Sequence, residues 1–89
     1  MRKYIIERDV PGFGNSSAEQ LGGAAAQSNR ALAEVGPGIQ WLESFVTKDK
    51  IFCVYLADSE QLIRKHAECS GFPANRILEV KAMLDASCG

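Results

Sequence analysis

The chain has 89 residues, too few for a cofactor domain beside a substrate domain, and with 46% hydrophobic and 24% charged residues it has the composition of a folded protein. Ten basic against eleven acidic residues leave a net charge of −1, which withholds the positive field used by binders of nucleic acid or anionic membrane. One domain over residues 1–89 is expected, with no nucleic-acid or membrane partner, and apolar surface beyond its small core is available to a second copy.

At the N-terminus, Met1-Arg2-Lys3 is basic, but Glu7-Arg8-Asp9 follows after only three apolar residues. That is too short for a signal-peptide core or a membrane span, so a cytoplasmic location is expected. From Lys3 to Val10, Tyr4, Ile5 and Ile6 favour a strand that Pro11-Gly12 breaks. Ser16 stands three residues before Glu19 and Ser17 three before Gln20, and either pair makes a capping box. The helix that starts there carries Leu21, Ala24, Ala25, Leu32 and Val35 at helical spacing, with Ser28 on the same stripe, and Gly36-Pro37 ends it. Gly22-Gly23 costs that helix about 1 kcal/mol per glycine against alanine, which close packing on a sheet would explain. Ile39 to Thr47 and Ile51 to Ala57 are rich in β-branched and aromatic residues, are separated by Lys48-Asp49-Lys50, and read as a hairpin. Asp58 or Ser59 caps a second helix running through Cys69, with Leu62, Ile63, His66, Ala67 and Ser70 on one face, and Gly71-Phe72-Pro73 closes it. Arg76 to Leu84 reads as a last strand and 85–89 as a frayed tail.

The order β-α-β-β-α-β predicts an α+β, ferredoxin-like fold: a four-stranded antiparallel sheet with two helices on one face. Strand alternation sorts the side chains into two sets. Leu42 and Val46, Phe52, Val54 and Leu56, and Leu78, Val80, Ala82 and Leu84 are nearly pure hydrocarbon and are expected beneath the helices. The other set runs through Trp41, Glu43 and Phe45, Ile51, Cys53 and Tyr55, and Ile77, Glu79, Lys81 and Met83. It is too aromatic for a solvated face and is expected to pack on a second sheet, with Trp41 as anchor, in a homodimer of the dimeric α+β barrel kind. Parity leaves open whether Tyr4 and Ile6 or Ile5 and Glu7 join that face, although the Glu7 carboxylate costs less there than under the helices. In the usual 4-1-3-2 strand order, Glu7, Tyr55 and Glu79 converge between the sheets, where paired carboxylates can bind a cation or serve a small molecule bound or transformed there.

Cys53, Cys69 and Cys88 are odd in number and lack a C-x-x-C, so they form neither a disulfide framework nor a zinc ribbon. His66, the only histidine, follows Leu62 by one turn. It is either a structural residue bonded to a backbone carbonyl or the Asn75 side chain, or a metal ligand with partners from elsewhere. Gly12-Phe13-Gly14 lacks a third glycine at Ser17 and a following lysine, and no serine stands in a G-x-S-x-G elbow. No catalytic nucleophile is legible, which favours a binding protein over an enzyme.

Four stretches of the chain, Tyr4-Ile5-Ile6-Glu7-Arg8-Asp9-Val10-Pro11-Gly12, Gly36-Pro37-Gly38-Ile39-Gln40-Trp41, Asp49-Lys50-Ile51-Phe52-Cys53-Val54-Tyr55, and His66-Ala67 followed by Gly71-Phe72-Pro73-Ala74-Asn75-Arg76, resemble a family of small bacterial proteins known as nickel-binding, formerly a domain of unknown function. The resemblance runs from Lys3 to about Leu84. It implies a ferredoxin-like protomer, a dimer joined through its sheets, and a divalent metal, nickel, handled in sequestration or tolerance, with no established reaction. Nickel suits imidazole, carboxylate and water ligands. His66, Glu7 and Glu79 are therefore the candidate ligands, completed by water or a second chain, and Trp41, Phe45, Tyr55 and Asn75 are the candidate pocket or interface residues.

Overall fold

Strand β1 (Arg2–Asp9) buries every second side chain, Tyr4, Ile6 and Arg8, and lies inside the sheet of the computed structural model, which describes residues 1–89. Helix α1 (Ala18–Val35) uses the second of the two possible capping boxes: the Gln20 N–H donates to Ser17 Oγ and the Ser17 N–H to the Gln20 side chain. Strands β2 (Ile39–Val46) and β3 (Lys50–Ala57) form the hairpin. Helix α2 (Glu60–Ser70) starts after Ser59, which makes no side-chain capping bond, and ends at Gly71 with φ of 79°. Strand β4 (Arg76–Glu79) completes an antiparallel sheet of order β2-β3-β1-β4, with both helices on one face, the ferredoxin-like arrangement.

β4 is shorter than the sequence suggests, and its pairing with β1 could not have reached Leu84. Glu79 pairs with Tyr4, and the Val80 N–H still reaches the Lys3 carbonyl at 2.8 Å. In that register residues 83 and 84 would lie beyond Met1, and a strand without a ladder partner leaves its backbone to water. Met83 and Leu84 are accordingly exposed, and the last residues make a short 3₁₀ turn at Ala86–Cys88.

The two sheet faces are the reverse of the hydrocarbon-inward expectation. The core beneath the helices is Tyr4, Ile6, Ile51, Cys53, Tyr55 and Ala57 with Ile63 of α2, whereas Phe52, Val54 and Leu56 are half-buried on the uncovered face and Leu78 is exposed. The stripe on α1 supplies the reason. Ala24, Ala25, Ser28 and Ala31 are small, and large side chains from the sheet, Tyr4, Tyr55 and Trp41, rise into part of the space they leave. A β-bulge at Leu42 then divides the set that alternation had kept together. Trp41 pairs with Tyr55 on the helix side, while Phe45, past the bulge, pairs with Phe52 on the open side. Leu42 itself is exposed, and Val46 comes round to the helix side opposite Ile51.

Close packing does not account for Gly22 and Gly23, since a Cβ on either would meet open space. Gly14 is different: a Cβ there would lie 2.6 Å from the Thr47 carbonyl oxygen, which fixes the loop before α1 against the β2–β3 turn. At Gly71 the left-handed backbone itself demands glycine. Gly71→Val should destabilise the fold by about 1–2 kcal/mol, seen in thermal unfolding as a Tm lower by about 5–15 °C for a domain of this size; an unchanged Tm would place the helix stop elsewhere.

Candidate functional site

Between α1 and the sheet lies a cavity of about 210 Å³. Its floor is Arg8 of β1, Cys53 and Tyr55 of β3 and Trp41, Ser44 and Val46 of β2; its roof is Leu21, Ala24, Ala25 and Ser28 of α1; Phe13 and Phe72 from the flanking loops also line it. Trp41 is oriented by its indole N–H, which donates to Ser44 Oγ at 2.9 Å. Arg8, 2% exposed, donates through Nη1 to the Pro73 carbonyl at 2.9 Å and through Nε to Cys53 Sγ at 3.4 Å. No carboxylate lies within ion-pair distance of its guanidinium.

His66 sits beside the cavity, its ring 5.2 Å from that of Tyr55 and tilted by 56°. It is 1% exposed, with Nε2 3.2 Å from the Ser28 carbonyl oxygen and 3.3 Å from Ser28 Oγ. A carbonyl only accepts, so Nε2 carries the proton in the neutral ring and Nδ1 presents a lone pair. Nδ1 is the one buried side-chain polar atom without a hydrogen-bond partner. Burial pushes the imidazole pKa below its ordinary value, the Ser28 carbonyl opposes that, and the Arg8 charge adds to it, so the ring is neutral at pH 7. Burial likewise raises the Tyr55 pKa, against the hydrogen-bonding of Ser28, and keeps it a phenol.

The residues singled out from sequence are dispersed. Glu7 lies on the uncovered face, opposite in parity to Tyr4 and Ile6, and pairs with Lys50 Nζ at 2.8 Å; the same amine reaches Asp9 at 2.5 Å, and the two bonds raise its pKa. Glu79 ends β4, 3.1 Å from Lys81 and 3.5 Å from Arg2, and the Lys81 bond is the main cause of its lowered pKa. Tyr55 is beneath the helices, so Glu7, Tyr55 and Glu79 do not meet in one pocket. Trp41 lines the cavity and is no anchor of the open face, whereas Phe45 does lie there, 55% exposed. Asn75 does not touch His66; its Oδ1 accepts from the Asp9 N–H at 2.8 Å and its own N–H donates to the Glu7 carbonyl at 3.0 Å, which seats β4 on β1.

Arg8 is the site residue that the sequence reading missed. Its parity with Tyr4 and Ile6 was the available signal, because whatever placed those two under the helices placed Arg8 there as well.

The His66 Nδ1 lone pair fits one ligand position, but no group of three His, Cys, Asp or Glu side chains comes together that could hold a metal ion. A closed nickel site within one chain does not fit these residues.

Fold and cavity together define a small ferredoxin-like α+β domain with a lined cavity under its first helix and an uncovered apolar sheet face. The chain belongs to the family described as SCO4226-like, nickel responsive protein SCO4226-like, whose family model matches residues 4–80. The crystal structure of SCO4226 from Streptomyces coelicolor A3(2) is similar in fold, with a TM-score of 0.76 over 92% of this chain and 99% of that one at 16% identity. No curated protein matches the chain. No helix is long and apolar enough to cross a membrane.

Proposed function

We propose that this is a cytoplasmic, homodimeric bacterial binding protein that takes part in nickel sequestration or tolerance. The observation that carries the metal part is the unpartnered Nδ1 of His66, a neutral imidazole lone pair held in place through its other nitrogen by Ser28. Because no three His, Cys, Asp or Glu side chains of one chain come together, water or a rearranged or second chain completes the ligand set, and binding is correspondingly weak. The carboxylates of Glu7 and Glu79, each already engaged by a basic side chain, are the competing ligands. Dimerisation rests on the face that the helices leave open, where Ile5, Phe45, Phe52, Val54, Leu56 and Leu78 lie exposed or half-buried.

Calorimetric titration with nickel separates these ligands. The wild type should give a weak, saturable heat near neutral pH that disappears in His66→Ala and persists in Glu7→Gln and Glu79→Gln, with folding of each variant checked by circular dichroism. Since the folded imidazole pKa lies below its ordinary value of about 6.5, proton competition should set in only below that pH. Heat retained in His66→Ala and lost in a glutamate variant moves the metal to the carboxylates, and no heat in the wild type removes the metal reading. The second reading, a small-molecule pocket, moves from between two sheets to the cavity beneath α1.

A further inference from the structure

We infer that the cavity beneath α1 is a binding site for a small organic carboxylate, one ring or a short chain in size, whose carboxylate pairs with Arg8 and whose body lies against Trp41, Phe13 and Ala25.

Arg8 is an unanswered charge. A guanidinium does not lose its proton in a protein, and removing it from water is costly unless an opposite charge meets it. Here it is 2% exposed, its two bonds go to the Pro73 carbonyl and the Cys53 sulfur, and it takes part in none of the ion pairs of the chain. Its neighbours Glu7 and Asp9 have the opposite strand parity and are both held by Lys50. No Lys, Asp or Glu lines the cavity with it. His66 is neutral and Tyr55 a phenol, so neither supplies the missing negative charge.

The rest of the wall gives the ligand its body. Ten of the thirteen lining residues are hydrophobic, and the volume is about 210 Å³. An apolar cavity of about 150 Å³ takes one benzene molecule, so this one has room for a ring and a carboxylate and not for a nucleotide. A fork of guanidinium donors suits a carboxylate, and the positive charge disfavours an amine. The inference is independent of the nickel reading, which concerns His66.

Trp41 is the only tryptophan and lines the cavity, so its fluorescence reports occupancy. Chelator-treated protein is titrated with benzoate and phenylacetate, with benzamide as the neutral isostere and benzylamine as the cation. The carboxylates should give a saturable change, benzamide should bind about tenfold or more weakly, in line with the loss of a charge-assisted bond, and benzylamine should not bind. Arg8→Met should erase the preference for carboxylate over amide without lowering Tm, since it removes a buried charge that nothing pairs. Ala25→Phe, which fills the cavity and leaves Arg8 in place, should abolish binding of both. Equal affinity for benzoate and benzamide, carboxylate binding that survives Ala25→Phe, or no saturable response to either carboxylate would overturn the inference. If Arg8→Met does not fold, the benzoate–benzamide comparison and Ala25→Phe decide it. Nickel binding lost in His66→Ala has no bearing on any of these outcomes.

Discussion

Ile6→Ala should lower the stability of the protein by about 2–5 kcal/mol, the usual cost of cutting a fully buried isoleucine back to a methyl group, and Tm by at least about 10 °C for a domain of this size. Ile6 is 0% exposed and packs in one cluster with Tyr4, Tyr55 and Ile63. Ile5, the next residue, points the other way, half-buried on the uncovered face between Val54 and Leu78. Ile5→Ala should therefore cost clearly less in dilute solution, and its effect on Tm should grow with protein concentration as the open face becomes covered by a second copy. The pair measures which face of the sheet is the core, the point on which the alternation pattern misleads. Equal losses at low concentration would mean that both faces are covered within one protomer.

Val54→Asp should sediment as a folded monomer at concentrations where the wild type, on the proposed sheet-to-sheet pairing, should sediment as a dimer. Val54 stands in the interior strand β3, paired with Ile5 on one side and Glu43 on the other, in the middle of the apolar face. A carboxylate buried at that position in a sheet-to-sheet interface loses its hydration among apolar side chains, and the association should weaken by about 2 kcal/mol or more, the scale of a central interface residue. The monomer's own core lies on the other side of the sheet, so its circular dichroism should be unchanged. Trp41→Ala gives the contrast: the ring sits in the cavity under α1, so the substitution should leave dimerisation intact while altering the cavity. A wild type that stays monomeric at high concentration, or a Val54→Asp dimer as tight as the wild type, would remove the open face as the interface.

The elements themselves were legible because their signals are local. Ser17 with Gln20, the glycines at 36 and 71, and the prolines that follow each act within a few residues of chain, and together they mark where helices start and stop. The β-α-β-β-α-β order follows from them, and with it the ferredoxin-like sheet, since a hairpin of two strands flanked by helix crossovers has few other ways to close. The position of His66 on a buried helix face was also readable, from the spacing of Leu62 and Ile63. Its bond to a backbone carbonyl was one of the two alternatives the sequence left open; that the carbonyl is that of Ser28, on the other helix, was not readable.

What tertiary structure alone decided was which side of each strand faces inward. Alternation separates Ile5 from Ile6 but is symmetric between them, and hydrophobicity broke the tie wrongly because the cover, α1, presents alanines and Ser28 where large side chains fit. The bulge at Leu42, which sends Trp41 inward and Phe45 outward, is a mismatch in the length of chain between two paired strands and leaves no local mark. The register of β4 depends on its pairing with β1, which sets Glu79 opposite Tyr4, a residue near the other end of the chain. Glu7, Glu79 and His66 were grouped by residue chemistry and separated by the pleat and the sheet edge, while Arg8 was brought with Cys53, Tyr55 and Trp41 into one cavity by the same pleat. Each of these outcomes is set by contacts between residues far apart in the chain, whose register and packing the intervening sequence does not encode locally.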